Sequence, residues 1–319
     1  MPAVTVLIPV LNAMPYLSEA LASLEAQTFR DFGVLFWDNG SSDGSVEEAR
    51  RWIPGRLPGR VVADRPMPFH HCLATMVEES STEFVARMDG DDICRAGRFQ
   101  MQVEALRANL SVGIVGGQCP MMNSSGESIG MSHPGPLEHD DILTEMMYRS
   151  ALTHPALMFR RESILKAGNY VRPKPVEDLD LYMRMAAVCE FRNLSSQVLD
   201  YRVHDKSISR THAEQQQKEM IDVVAGYSRK NYGISAEVYR RLQGKGARCS
   251  IISLLRSAAY RAEGNRRSFW RIVRSPSFIF IGRCMTAPRD YASRGVFGCL
   301  AAMSGNQCRT RVTNQSGRR

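Results

Sequence analysis

No run of about 18 apolar residues occurs in the 319-residue chain, so the sequence holds no candidate transmembrane helix. None of its eight cysteines stands in a C-x-x-C pair. That spacing argues against a zinc site and for reduced thiols in a cytosolic protein. Met1-Pro2-Ala3-Val4 enters a strand-like run with no basic residue ahead of it, and no secretory signal peptide is expected. The stretch 9–15 has neither Lys nor Arg, which counts against the basic, Gly-rich phosphate loop of a nucleotidyltransferase. Aromatic stacking platforms and known nucleic-acid modules are missing too, so a non-catalytic nucleic-acid-binding protein is disfavoured and no nucleic acid is expected as partner. Acidic residues are scarce at one end only. Residues 206–319 hold 22 Lys and Arg against 6 Asp and Glu, a net +16, whereas residues 1–205 carry a net −8. A basic tail behind an acidic front is expected near something anionic, such as a membrane surface.

What is present centres on Phe84-Val85-Ala86-Arg87-Met88-Asp89-Gly90-Asp91-Asp92. A short apolar run reads as a buried strand and ends in three carboxylates within four residues. Such a cluster repels itself in low dielectric and needs water or cations. At the carboxyl end of a parallel strand it lies in the ligand crevice of an open α/β sheet. Oxygen-only ligands suit Mg²⁺ or Mn²⁺, which keep waters and bridge to phosphates. A second reading of the same stretch is a helix start, with Asp91 or Asp92 capping a helix over 95–109.

The chain before this cluster alternates strand and helix. Val4 to Val10 is β-branched and apolar, with Pro9 tolerated at its end. Asn12 is a candidate cap for a helix whose apolar face is Leu17, Ala20, Leu21 and Leu24. Gly33-Val34-Leu35-Phe36-Trp37 is a second strand, and Asp38-Asn39-Gly40-Ser41-Ser42-Asp43-Gly44-Ser45 a polar turn leading to a helix over 45–52. A third strand, Val61-Val62-Ala63, and a helix over 72–80 follow. This alternation predicts a parallel, doubly wound sheet. The turns at 9–12, 38–43 and 89–92 then share one edge and converge.

The stretches 4–12, 38–45 and 86–92, together with Ala26-Gln27-Thr28-Phe29-Arg30-Asp31-Phe32, resemble the family 2 glycosyltransferases over residues 3–210. The resemblance implies a GT-A fold: a Rossmann-like, mostly parallel sheet with helices on both faces. It also implies inverting sugar transfer from a nucleotide-diphosphate sugar donor. Pro9, Leu11 and Asn12 with Asp38 and Asn39 would hold the nucleoside. Asn39 stands where the family usually has Asp; an amide carries no charge and can also donate a hydrogen bond. Asp89 and Asp91 would be the D-x-D pair on Mg²⁺ or Mn²⁺, with Asp91 in direct metal contact and Asp89 also on the nucleotide side. His70 and His71 either reach a phosphate or are surface histidines.

Further on, Ile114-Val115-Gly116-Gly117 predicts a strand, 121–131 a hairpin turning at Asn123-Ser124-Ser125-Gly126, and His154-Pro155-Ala156-Leu157-Met158-Phe159-Arg160-Arg161 an acceptor-side strand. A helix over 161–167 closes at Gly168. Glu177 and Asp178 then open a helix whose apolar face is Leu181, Met185 and Val188. Carboxylates at a helix N-terminus suit its dipole. Periodicity alone does not separate the two; the resemblance makes Asp178 the general base and Glu177 its neighbour. His204, in the last resembling stretch, either approaches the metal or diphosphate or is a surface histidine.

Three regions are expected: the glycosyltransferase domain at 1–210, a basic helical extension at 211–303, and a disordered polar tail at 304–319. Met220, Val223, Val224 and Tyr227 form one helical stripe of the extension, and Ile251, Leu254, Leu255, Ala258 and Ala259 another. The arginines of 266–274, interleaved with large apolar side chains, suit either a membrane interface or a helix packed on the domain. The acceptor is expected to be a glycan or a lipid-linked intermediate, and the protein cytoplasmic, peripheral on the inner membrane face through 206–319.

Overall fold

The computed structural model describes residues 1–131, 135–147, 149–173, 175–205, 213–232 and 237. Strands β1 (Val4–Val10), β2 (Phe32–Asp38), β3 (Gly59–Val62) and β4 (Phe84–Arg87) alternate with helices α1 (Leu17–Glu25), α2 (Ser45–Trp52) and α3 (Phe69–Glu79). After a short β5 (Ile93–Cys94) and α4 (Arg98–Ala108) come β6 (Val112–Gln118), β7 (Pro120–Met122), β8 (Ser128–Met131) and α5 (His139–Met146). A 3₁₀ turn at His154–Ala156 leads into β9 (Met158–Arg160) and α6 (Arg161–Lys166). Then follow α7 (Glu177–Met185), β10 (Glu190–Gln197), β11 (Leu199–Arg202) and α8 (Ala213–Tyr232).

The main sheet has the order β10-β6-β9-β4-β1-β2-β3. All its pairings are parallel except those of β9, which runs against β4 and β6. Side chains alternate across it with period two. Leu7, Leu35, Trp37, Val85 and Phe159 pack with α3, α5, α6, α7 and α8 on one face. Val6, Ile8, Val34, Phe36, Phe84, Ala86 and Met158 pack with α1, α2 and α4 on the other. Strands buried on both faces explain the nearly unbroken apolar runs of β1 and β2. The expected α/β class, a mostly parallel sheet with helices on both faces, holds. A second sheet, β5-β11-β7-β8, carries residues 199–202 past the acidic turn, where Arg202 meets Asp91 and Asp92.

Several local expectations are corrected. Asn12 caps no helix: α1 starts at Leu17 after Tyr16, and Asn12 sits at φ 57°. Neither Asp91 nor Asp92 is a cap, because β5 intervenes and α4 begins at Arg98 after Gly97. Val188 lies past the end of α7 and is 44% exposed, so it is no part of that buried face. His70 is buried rather than on the surface, its ring centroid 4.1 Å from that of His71.

Helix α8, at the start of the expected extension, puts Val223 and Val224 into the core with α7. No helix among the described residues is long and apolar enough to cross a membrane. The second helical stripe at 251–259, the arginines of 266–274 and the tail at 304–319 lie outside the described residues.

Candidate active site

Parallel register brings the three turns to one edge. Val10 of β1 pairs with Asp38 of β2, and Leu7 with Arg87 of β4, so that Gly90, three residues past the end of β4, lies against Val10. The turn after β1 is locked to the one after β2. The Asn12 N–H donates to Ser41 Oγ at 2.8 Å, and Asn12 Oδ1 accepts from the Ser42 N–H at 2.9 Å. The Met14 N–H reaches Asp43 Oδ2 at 2.9 Å. The acidic turn rests on the first: a Cβ on Gly90 would stand 3.0 Å from Ala13 Cβ and 3.2 Å from Val10 Cγ2. A glycine there lets the carboxylates close on the cleft.

Of the residues expected to hold the nucleoside, Pro9 is buried inside β1 opposite Trp37, while Leu11 is exposed at the edge. Asp38 is buried; its Oδ2 accepts the N–H groups of Gly40 and Ser41, both at 2.9 Å. That carboxylate shapes the turn, and its Oδ1 is buried with no hydrogen-bond partner among the described residues. Asn39 Oδ1 accepts the Met67 N–H at 3.2 Å, so its carbonyl is committed to the loop after β3.

The ligand atoms of Asp89, Asp91 and Asp92 all lie within 4.8 Å of one another. Asp89 forms an ion pair with the Arg87 guanidinium. Asp91 Oδ2 is 2.9 Å from His204 Nε2, so the last resembling stretch does reach the acidic turn. Burial, then the Asp89 charge, push the Asp91 carboxyl above its ordinary range, and His204 offsets part of this. Asp92 is 1% exposed and is pushed up further, by burial and then by its two acidic neighbours. Its Oδ1 accepts the Arg202 N–H at 2.8 Å. Its Oδ2 is buried with no hydrogen-bond partner among the described residues. A buried carboxylate oxygen left open beside two more carboxylates fits a hard divalent cation held by oxygen ligands.

Arg202 holds this arrangement together, and sequence reasoning missed it. Its buried guanidinium donates to the Asp91 carbonyl at 2.7 Å, to the Ser124 carbonyl at 3.3 Å and to Glu19 Oε2 at 2.6 Å. Its Cζ lies 4.5 Å from the Tyr16 ring centroid, and that ring lies 5.1 Å from the His204 ring. The fork thus fastens β11, the β7–β8 turn and α1 to the acidic turn. Asp92, although part of the acidic triplet, was missed as a site residue because it lies outside the D-x-D pair of Asp89 and Asp91.

Glu177 and Asp178 open α7, where Glu177 is buried and Asp178 half-buried. Asp178 Oδ1 accepts the Leu179 N–H at 2.7 Å. Burial pushes its carboxyl above the ordinary aspartate range; the backbone N–H groups and the Arg87 charge offset part of that. Beside it lie two buried phenols. Tyr170 Oη is 2.9 Å from His154 Nε2, and burial, Asp178 and Tyr170 raise Tyr182. The structure thus brings Asp89, Asp91 and His204 together directly.

The family model described as Glycosyl transferase family 2 matches residues 5–166, half of the chain. The O-antigen biosynthesis glycosyltransferase WbnJ of Escherichia coli is 27% identical over 203 residues, spanning 61% of this chain and 78% of that protein. S. aureus TarS 1–349 in complex with UDP-GlcNAc has a TM-score of 0.59 at 16% identity, covering 87% of this chain and 81% of that one. The Pyrobaculum calidifontis mannosyltransferase PcManGT, in complex with GDP-Man and Mn²⁺, has a TM-score of 0.55 at 18% identity, covering 94% and 84%. The structural likenesses speak for the fold, and the family match for the enzyme class: the chain belongs to glycosyl transferase family 2.

Proposed function

We propose that the protein transfers a sugar, with inversion, from a nucleotide-diphosphate sugar to a hydroxyl of a glycan or lipid-linked acceptor. One observation carries this reading: three carboxylates crowd within 4.8 Å at the edge where the β1 and β2 turns meet, and one buried oxygen of the set is left open. Asp89, Asp91 and Asp92 would hold Mg²⁺ or Mn²⁺, with His204 seated on Asp91. Such an ion, when bound, neutralises charge on a diphosphate leaving group. Asp38 and Asn39, braced against 9–12, form the nucleoside side of the cleft. Asp178 takes the proton of the acceptor hydroxyl as that oxygen attacks the anomeric carbon from the face opposite the leaving group. Burial raises its carboxyl, which makes it a stronger proton acceptor once ionised.

The relative WbnJ is named for O-antigen biosynthesis, which supports a cell-envelope glycan as acceptor. The net +16 of residues 206–319 supports attachment to an anionic membrane on its cytoplasmic side. A panel of sugar nucleotides, screened by thermal stabilisation and hydrolysis with and without Mn²⁺, tests the reading. At least one donor should stabilise the protein only with metal, and Asp91→Asn should remove both effects while leaving the fold intact by circular dichroism. Full turnover in excess chelator would refute the metal's part.

A further inference from the structure

A cavity of about 160 Å³ opens at the carboxyl end of β6, lined by Gln118, Glu145, Ala151, Leu152, Thr153 and Asn193 among others. Register fixes its place in the sheet. Met158 of β9 pairs with Ala86 of β4 on one side and with Val115 of β6 on the other, so those two residues stand level. Asp89 and Gln118 each come three residues later. Gln118 therefore leaves the sheet at the level of the acidic turn, two strands or about 10 Å away. Period two along β6 and β10 sends Gln118 and Asn193 to the face of Ile114 and Phe191, the one that carries α5 and α7. The turns of β1 and β2, on the nucleoside side, lie across β4 from the cavity. Its wall runs on into α7. His154 follows Thr153, its ring lies 6.2 Å from that of Tyr182, and its Nε2 is 2.9 Å from Tyr170 Oη. Tyr182 stands one turn past Asp178 on the same side of the helix.

Gln118 is 8% and Asn193 4% exposed. Gln118 Nε2 donates to the Leu194 carbonyl at 3.1 Å. Asn193 Nδ2 donates to the Pro136 carbonyl at 2.8 Å and to the Ala151 carbonyl at 3.2 Å. A carbonyl pairs only with a donor, so each amide is held nitrogen-first against the backbone. Neither amide oxygen has a hydrogen-bond partner among the described residues. The Asn193 amide fits because residue 116 is glycine; a Cβ there would collide with Oδ1. Glu145 adds a carboxylate to the wall, paired with Arg149. The cavity thus offers acceptors, and a buried acceptor left open is costly until a donor reaches it. Hydroxyl groups supply such donors, whereas phosphates and carboxylates are acceptors themselves. The volume is well below the roughly 300–1,000 Å³ of a whole-ligand pocket, so it suits one ring.

We propose that this cavity is an acceptor subsite: it takes one neutral, hydroxyl-bearing sugar ring of the acceptor, whose hydroxyls donate to Gln118 Oε1 and Asn193 Oδ1. The proposal rests on the reading of the protein as a sugar transferase and says where its acceptor is held. An acceptor held there meets the donor from across β4, with the nucleoside on the far side, the placement that displacement with inversion calls for.

The test uses full-length protein, with the methyl glycosides of glucose, galactose, mannose and N-acetylglucosamine as probes and saturation-transfer NMR titrated to a Kd. At least one glycoside should bind wild type, and inorganic phosphate should not displace it. Ser150 is exposed at the cavity. Ser150→Trp should fill the opening and weaken that glycoside tenfold or more, while Ser150→Ala restores binding. Gln118→Met keeps the length and removes the acceptor oxygen; it should weaken the glycoside about 3–10-fold, the worth of one neutral hydrogen bond. No glycoside bound to wild type means a cavity that holds water only, and overturns the proposal. So does displacement by phosphate, or a Kd that Ser150→Trp leaves in place. Affinity for sugar nucleotide and Mn²⁺ falling in the same proportion as glycoside affinity would mark a merely structural defect and overturn it too. Should Ser150→Trp not fold by circular dichroism, Gln118→Met decides, and a wild-type Kd there overturns the assignment. Failure of the transferase reading looks different: no sugar nucleotide stabilises the protein with Mn²⁺, whatever the glycosides do.

Discussion

Replacing Asp178 by Asn separates catalysis from stability in opposite directions. In the proposed role of general base Asp178 would contribute about 10²–10⁴-fold to the rate, which at about 1.36 kcal/mol per decade is about 2.7–5.4 kcal/mol of barrier. Asp178→Asn should therefore bind sugar nucleotide and Mn²⁺ nearly as wild type does, yet transfer little sugar. The stability arm follows from burial. The folded carboxyl titrates above its unfolded value, so the fold binds the protonated form better. That contribution is present below the unfolded pKa, near 3.9, and is lost as pH rises through the higher folded value. The ionised carboxylate thus weakens the fold at neutral pH, by about 1.36 kcal/mol for each tenfold difference between the folded and unfolded acid constants. An amide removes that cost. The variant should melt higher than wild type at pH 7, and the difference should vanish below about pH 4. The same raised carboxyl places the acid limb of the wild-type rate above the ordinary aspartate range. The assay is single-turnover transfer across pH, with melting curves on the same samples. Glu177→Gln is the contrast: buried at the helix start, it should lose rate mostly through positioning, and less of it. If Asp178→Asn transfers at the wild-type rate across pH while Glu177→Gln is inactive, Glu177 is the base and the reasoning fails.

Metal-free protein should gain melting temperature as pH falls from 7 toward 5, because burial raises the Asp91, Asp92 and Asp178 carboxyls. The carboxylates of Asp43, Glu48 and Glu79 are held lower, so their losses begin only at more acidic pH. Mn²⁺ should flatten or reverse this slope; a metal-free melting temperature that drops steadily from pH 7 to 5 would contradict it. Arg202→Met strips the hydrogen bonds to the Asp91 and Ser124 carbonyls. It should cost about 3 kcal/mol by urea denaturation, and a loss under about 0.5 kcal/mol would deny Arg202 its role as fastener. Full-length protein should float with anionic vesicles in low salt and release as salt rises, each basic side chain near the surface being worth about 1 kcal/mol; flotation that is absent or unmoved by salt refutes the membrane reading.

Much of this architecture is readable along the chain because it depends on neighbours in sequence. The β1, β2 and β4 strands follow from apolar runs, and the shared edge of their turns from the parallel alternation of strand and helix. The Asp89–Asp91 pair is readable for the same reason. What escaped depends on partners far away. Arg202 meets Glu19 across 183 positions, and no local pattern couples them. A cap at Asp91 or Asp92 stays open as a reading until β5 is seen to intervene, and the Asn12 conformation is fixed by Ser41 and Ser42 rather than by a helix of its own. His70 reads as a phosphate contact or a surface residue because a histidine is polar; the fold buries it beside His71. The antiparallel direction of β9 is likewise silent in Met158-Phe159-Arg160, since a three-residue strand looks the same either way.

The parts that break local rules share one electrostatic logic. Three carboxylates at the sheet edge would not stay packed on their own charge. Among the described residues Arg87 sets one buried positive charge against the three negative ones, while the buried Arg202 guanidinium pairs with the exposed Glu19 and steadies the turn through the Asp91 carbonyl. The remainder is close to two negative charges, and burial together with those neighbours holds the Asp92 carboxyl well above its ordinary range. A divalent cation would bring that edge close to neutral, so that an anionic diphosphate would no longer meet net repulsion there. The edge is thus built one cation short of balance, and its charge changes with the metal rather than with the fold.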